Sequence, residues 1–518
     1  MDHSVLRKEE PFVLEILGYL GQGFINLLDV TAILLVMLGV AIGIVGGAIP
    51  GISPSMAVAL LLPVTYSLTP VQGIILLMGI YTGANYGGAI TAIAINTPGT
   101  PSSAVTSFDG YPLCQQGRTG EAMGIALWAS VAGGIISTII LIFFSIPLSK
   151  LALKFWPSEY FALCFMGLTT VATLGGKQWQ KALAAVLLGL LINTMGVDPI
   201  YGIRRFTFGV TALYDGIPMV PVLIGLFALG EVFSNLEKFN GEGEKGKAVD
   251  YKWPPFSLHW KLKWSYIRAS VIGCVIGIFP GAGGTIASFI AYDVEKRMSK
   301  HPEEFGHGAL AGVSAGEAAD NGSIGGAMVP LLSLGIPGSA TAAVLIGALQ
   351  IHDITPGPEL FTKQPDLVYT LFAAMFFANA CMAFIGVIGT KGFARLTNSL
   401  PKRILYPMIV AFSILGSYAV ERSVVHVILC LAFGLLGWLM KKYKYPASPV
   451  VLGVVLGKLM ENNFSRALMV SGWSSFYTRP LTIILFLISI AAIAMPMISD
   501  HRKKKAGTLS ADAEEDVD

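Results

Sequence analysis

Gly83-Ala84-Asn85-Tyr86-Gly87-Gly88 runs through apolar sequence into Asn96-Thr97-Pro98-Gly99-Thr100-Pro101-Ser102-Ser103-Ala104. A second copy follows as Asp320-Asn321-Gly322-Ser323-Ile324-Gly325-Gly326 and then Gly335-Ile336-Pro337-Gly338-Ser339-Ala340-Thr341, with Pro337 placed 239 residues after Pro98. Each copy reads as an apolar helix that carries an Asn and a Gly pair, is broken by Pro-Gly, and continues into hydroxyl residues. In hydrocarbon such a break frees backbone carbonyls and amides that lipid cannot satisfy, so it survives only under protein or beside a watery cavity. One break alone reads as a packed kink. Two at matching positions of two halves point to a midplane transport site, with half-helix N-termini facing an anion and freed carbonyls facing a cation.

Composition sets the class. Of 518 residues, 54% are hydrophobic and 13% charged, with 59 Gly, and the mean hydropathy is +0.67. These values exclude a soluble globule and predict an all-α polytopic membrane protein with about 11–12 transmembrane segments. The net charge of +3 carries little information, and no nucleic-acid partner is expected. Cys114, Cys164, Cys274, Cys381 and Cys430 are scattered, without disulfide or metal spacing. The N-terminus lacks a cleavable signal pattern, so an early apolar segment is expected to direct insertion.

Working outward, residues 1–26 form either a short tilted crossing or a helix in the interface. A first membrane repeat, 27–236, opens with a re-entrant hairpin whose tip lies near Pro50, in Gly46-Gly47-Ala48-Ile49-Pro50-Gly51-Ile52-Ser53-Pro54-Ser55. The second repeat, 265–463, opens the same way at Gly277-Ile278-Phe279-Pro280-Gly281-Ala282-Gly283-Gly284-Thr285, where Pro280 lies 230 residues after Pro50. There the arms look short for two crossings, and Lys-rich flanks at 237–264 and 293–308 put entry and exit on one side. A broken helix and four further apolar segments follow in each half. The last pair shares Pro218-Met219-Val220-Pro221 and Pro446-Ala447-Ser448-Pro449. An odd number of crossings per half makes the two repeats inverted. Lys and Arg crowd the loops on the side of 237–264, which reads as a cytoplasmic linker. Residues 464–499 add one more transmembrane segment, and 500–518 a disordered cytoplasmic tail.

The chemistry-bearing residues argue against an enzyme. Of the histidines only His426 sits well inside an apolar run, without a catalytic partner near it; Ser339 has no histidine at useful spacing; and the Gly-rich runs lack the Lys of a phosphate-binding loop. Energy is therefore expected from an ion gradient. Glu317 and Asp320 lie in an apolar run, where a carboxylate is a site candidate by default, unless the helix starts later and they only cap it. For an anionic substrate the expected residues are Ser53, Asn96, Thr97, Pro98, Gly99, Thr100, Ser102, Gly283, Gly284, Pro337, Gly338, Ser339 and Thr341, as backbone amides and hydroxyls. For a cation they are Asn85, Thr285, Glu317, Asp320 and Asn321, with a coupling sodium ion as the sole expected cofactor.

At these motifs, with Gly316-Glu317-Ala318-Ala319-Asp320-Asn321 added, the chain resembles the large membrane subunit of the tripartite tricarboxylate transporters, the TctA family, over roughly residues 20–440. The resemblance implies a multi-pass permease of the bacterial inner membrane, working with a small integral membrane subunit and a periplasmic solute-binding protein. It implies import of citrate or related organic acids by sodium or proton symport. The alternative is an organic-anion channel or exporter that needs no binding protein.

Overall fold

The computed structural model describes residues 12–49, 51–173, 178–198, 202–237, 253–399 and 402–505. Pro50, most of the linker and the end of the tail lie outside them. Among the described residues nearly everything is helix. The first part comprises α1 (Phe12–Leu27), α2 (Val30–Gly47), α3 (Pro54–Leu61), α4 (Pro70–Ile95), α5 (Ala104–Gln115), α6 (Thr119–Ala152), α7 (Pro157–Thr173) and α8 (Trp179–Asn193). A two-stranded ribbon, β1 (Gly196–Val197) with β2 (Arg204–Arg205), leads to α9 (Met219–Leu223), a π-turn, and α10 (Gly230–Glu237). The second part runs through α11 (Phe256–Ile278), α12 (Gly283–Met298), α13 (Leu310–Leu334), α14 (Ala340–Ile351), α15 (Leu360–Lys363) and α16 (Pro365–Ser399). It ends with α17 (Lys402–Glu421), α18 (Val424–Lys442), α19 (Ser448–Ser471), α20 (Ser475–Thr478) and α21 (Pro480–Lys505).

The chain is an all-α polytopic membrane protein. Six helices among the described residues can cross a membrane by length and composition, or 7 if the pair bent by 65° at Arg479 is one span. That is fewer than the sequence suggests. The central helices are covered by neighbours instead of lipid, so they need not be apolar: α13 carries Glu317, Asp320 and Asn321, all buried. Helix α11 also begins earlier than expected, at Phe256 inside the stretch 237–264. At about 1.5 Å per residue, its 23 residues make a hairpin arm long enough to cross.

The two halves share one packing scheme, set by glycines that let backbones touch. On the first hairpin arm, Gly43 and Gly47 face the backbone of Ile80 and Ala84 in α4; Gly273 and Gly277 face Ala319 and Ser323 in α13. In return Gly83 and Gly87 meet Val40 and Ile44, while Gly322 and Gly326 meet Ser270 and Cys274. Beyond the breaks, Gly99 rests on Gly47 and Gly88, and Gly338 on Gly277 and Ala327. Each contact maps onto its partner by the 230- and 239-residue offsets seen in the sequence. Outer helices cross over between halves in the same way: α6 lies on α13 and α16 on α4, and α8 lies on α19 as α18 lies on the α9–α10 segment.

Small residues at such crossings matter more in lipid, where close packing and not water drives helix association. A Cβ at Gly277 would sit 2.5 Å from the Ser323 carbonyl oxygen. Gly277→Val is therefore expected to cost about 3 kcal/mol through overpacking, seen as loss of a monodisperse peak in detergent. An unchanged elution profile and thermal midpoint would show that the hairpin is not held this way.

A second anchor joins α5 to the segment before α13. Asp109, buried, takes backbone N–H groups of Gly306, Gly308 and Ala309 on one oxygen at 2.7, 2.9 and 2.9 Å. Removing the carboxylate leaves three donors unmet, so Asp109→Ala is expected to destabilise by about 3 kcal/mol. Asp109→Asn keeps an acceptor and should lose less, a ranking that thermal unfolding in detergent can check.

Candidate substrate and cation site

Residues at or just after the turn of each hairpin and just after each Pro-Gly break line one cavity of about 400 Å³. Ser53, Ser55, Tyr81, Asn85 and Ser102 line it from the first half, and Gly283, Gly284, Thr285, Asp320, Ser339 and Thr341 from the second. Helix starts dominate the wall. Ser53 caps α3 by accepting the Met56 N–H at 3.2 Å, and Ser339 caps α14 by accepting the Ala342 N–H at 3.1 Å. The chain turns into α12 through Gly281 and Gly283 at φ 79° and 55°, left-handed values that suit glycine. Ser448 starts α19 at the cavity, and Pro101 and Ser102 lie just before α5. Five helix starts thus lie at or just beside one space, where their positive dipole ends favour an anion.

Against that field the described wall carries one carboxylate and no Lys or Arg. Asp320 is 2% exposed. Its oxygens accept from Ser102 Oγ at 2.7 Å and from Asn85 Nδ2 at 3.2 Å. The first half offers Tyr81 at the equivalent position, and its hydroxyl lies 3.0 Å from Ser339 Oγ. The helix before each break therefore reaches across to the break of the other half. Ser339 caps α14, its hydroxyl meets that of Tyr81, and no histidine lies on the described wall.

The model of the Tripartite tricarboxylate transporter TctA family matches residues 33–452. The chain belongs to the TctA family. It is similar to a protein of Agrobacterium vitis described as "Uncharacterized 52.8 kDa protein in TAR-I ttuC' 3'region", at 36% identity over 495 residues, 95% of this chain and 98% of that one. A second relative from Agrobacterium vitis, "Uncharacterized protein in TAR-II ttuC' 3'region", is 33% identical over 235 residues, 45% of this chain and 97% of that one. No solved structure matches. TctA membership supports a large subunit of a tripartite transporter, and the TctA family is one of transporters.

Within this TctA chain the residues singled out from sequence divide into two groups. Ser53, Asn85, Ser102, Gly283, Gly284, Thr285, Asp320, Ser339 and Thr341 come together on the cavity. Asn96, Thr97, Pro98, Gly99, Thr100, Pro337, Gly338, Glu317 and Asn321 are not on its wall. Pro337 and Gly338 are buried, while Asn96 is exposed and Thr97 and Pro98 are half-buried away from this wall. Gly99 N–H is spent on the Gly88 carbonyl at 3.3 Å, and the Gly338 carbonyl accepts from Gly281 N–H at 3.0 Å. Asn96 is the left-handed C-cap of α4 at φ 53°. Thr97 donates to the Ile95 carbonyl, and Thr100 is tied to Ser103 by its backbone N–H at 3.2 Å. Glu317 and Asp320 do not cap α13; that helix starts at Leu310 and both are in its buried interior.

Sequence reasoning passed over Tyr81, Ser55 and Ser448. The Pro-x-x-Pro match around Ser448 was a usable sign that α19 starts where its counterpart does. Tyr81 gave none, since its counterpart across the 239-residue offset is an acid of a different shape.

Proposed function

We propose that this chain is the permease subunit of a secondary importer that carries a small carboxylate, citrate or a related organic acid, across the bacterial inner membrane with a coupling cation, sodium or proton. In this reading a periplasmic solute-binding protein delivers the acid, and a small integral membrane subunit completes the complex. The observation that carries it is the group of helix starts at a cavity whose described wall holds no Lys or Arg. Oriented N–H groups and hydroxyls favour an anion, and about 400 Å³ is a ligand-sized space. Asp320, with Asn85, Ser102 and Thr285 beside it, supplies the oxygen ligands a hard monovalent cation takes. Anion and cation then neutralise one another at the midplane, so the loaded site crosses at lower electrostatic cost than either alone.

The packing scheme repeated in the two halves, read as inverted from the odd number of crossings in each, supports alternating access over a channel, because two copies of one scheme can exchange roles. Labelled citrate or another di- or tricarboxylate is expected to accumulate in proteoliposomes holding the complex and its binding protein, driven by an imposed sodium or proton gradient. No uptake of any carboxylate under either gradient would defeat the reading. Flux that neither saturates nor supports counterflow would favour a channel.

A further inference from the structure

Glu317 stands one turn before Asp320 on α13, off the cavity wall and 0% exposed. Its oxygens accept from two helices of the other half: one from Thr106 Oγ1 on α5, the other from Ser130 Oγ on α6 at 3.0 Å. Four residues later Asn321 is also 0% exposed, and neither its Oδ1 nor its Nδ2 has a partner. Helical side chains four apart share a face, which puts Asn321 on the stripe of α13 that carries Glu317. A fully buried amide with both ends unmet is costly in a membrane interior and calls for an occupant.

We propose that Glu317, Thr106, Ser130 and the Oδ1 of Asn321 form a second cation site, separate from the cavity, that holds sodium. Every donor is an oxygen, the preference of a hard cation, and the single carboxylate balances one positive charge; a divalent ion would leave the pocket charged. The halves are unequal here. Residues 78 and 82, the counterparts of Glu317 and Asn321, are Met78 and Thr82, so each chain has one such site.

Its position gives it a task. Ser102 and Thr106, a turn apart near the start of α5, reach Asp320 and Glu317 respectively. Sodium held between Glu317 and Thr106 pins α5 against α13 and α6, and so sets where Ser102 stands in the cavity. The site deepens the proposed function, and rests on it only in taking the chain to be cation-coupled.

Equilibrium binding of radioactive sodium to the purified full chain, without carboxylate, tests this. Glu317→Gln is expected to remove one sodium from the wild-type complement, and Asn321→Ala to weaken the affinity about tenfold. Thr106→Val preserves shape and is expected to weaken it similarly, which covers the case in which Glu317→Gln fails to fold. An unchanged complement in folded Glu317→Gln, or unchanged affinity in both Thr106→Val and Asn321→Ala, overturns the site and leaves the transport reading in place. Wild-type chain that takes up no sodium but exchanges protons through Glu317 also overturns it. If sodium binds as expected but no carboxylate moves in proteoliposomes, the site stands and the transport reading falls.

Discussion

Asp320→Asn is expected to lower gradient-driven carboxylate uptake at least about a hundredfold, equivalent to about 2.7 kcal/mol, with normal membrane insertion. The substitution keeps the shape of the side chain and one acceptor for Ser102 Oγ, now 2.7 Å away. What it removes is the charge that balances a cation in a space otherwise surrounded by positive helix ends. Asn85→Ala, which takes away one donor at 3.2 Å from that carboxylate and leaves the charge, should lose about tenfold. Uptake by Asp320→Asn with wild-type rate and ion dependence would remove Asp320 from the coupling site.

Ser53→Asp is expected to weaken carboxylate binding about a hundredfold, while Ser53→Asn changes it little. Asp, Asn and Ser are all strong N-caps, so each can accept the Met56 N–H that now meets Ser53 Oγ at 3.2 Å and keep α3 intact. The variants differ in charge. A carboxylate at this helix start occupies the field that a substrate anion would use and repels it at close range. Binding measured by competition separates the cases: equal losses in both variants would mean that shape and not charge governs the cavity, contrary to the anion reading.

How much of this was legible in the sequence depends on what each residue does. The two Pro-Gly breaks and the two hairpins were visible because backbone chemistry in lipid permits few alternatives, and their offsets reappear in the packing of Gly43, Gly47, Gly273 and Gly277. The same offsets misled at the breaks themselves. Gly99 and Gly338 suggested freed amides for an anion, but they are glycines because another backbone passes against them; the Gly99 N–H is bonded to the Gly88 carbonyl, and the Gly338 carbonyl accepts the Gly281 N–H. The depth of Glu317 and Asp320 was open, since an acid near a helix start and one buried in its middle look alike without the boundary. Leu310 as first residue of α13 settles it. Tyr81 shows the remaining limit: contacts across the two halves join unlike residues, and only their meeting in space reveals them.

A single carboxylate is expected to bind between the hairpin turns and the breaks of both halves. Substrate protection of cysteines placed at Ser102 and Ser339, in a chain whose five native cysteines are replaced, tests it most directly. Both positions are predicted to react with a small polar thiol reagent in the empty protein, and both to be protected by the same carboxylate at the same concentration. Protection of one without the other, or no reaction at either while the variants still transport, would contradict it.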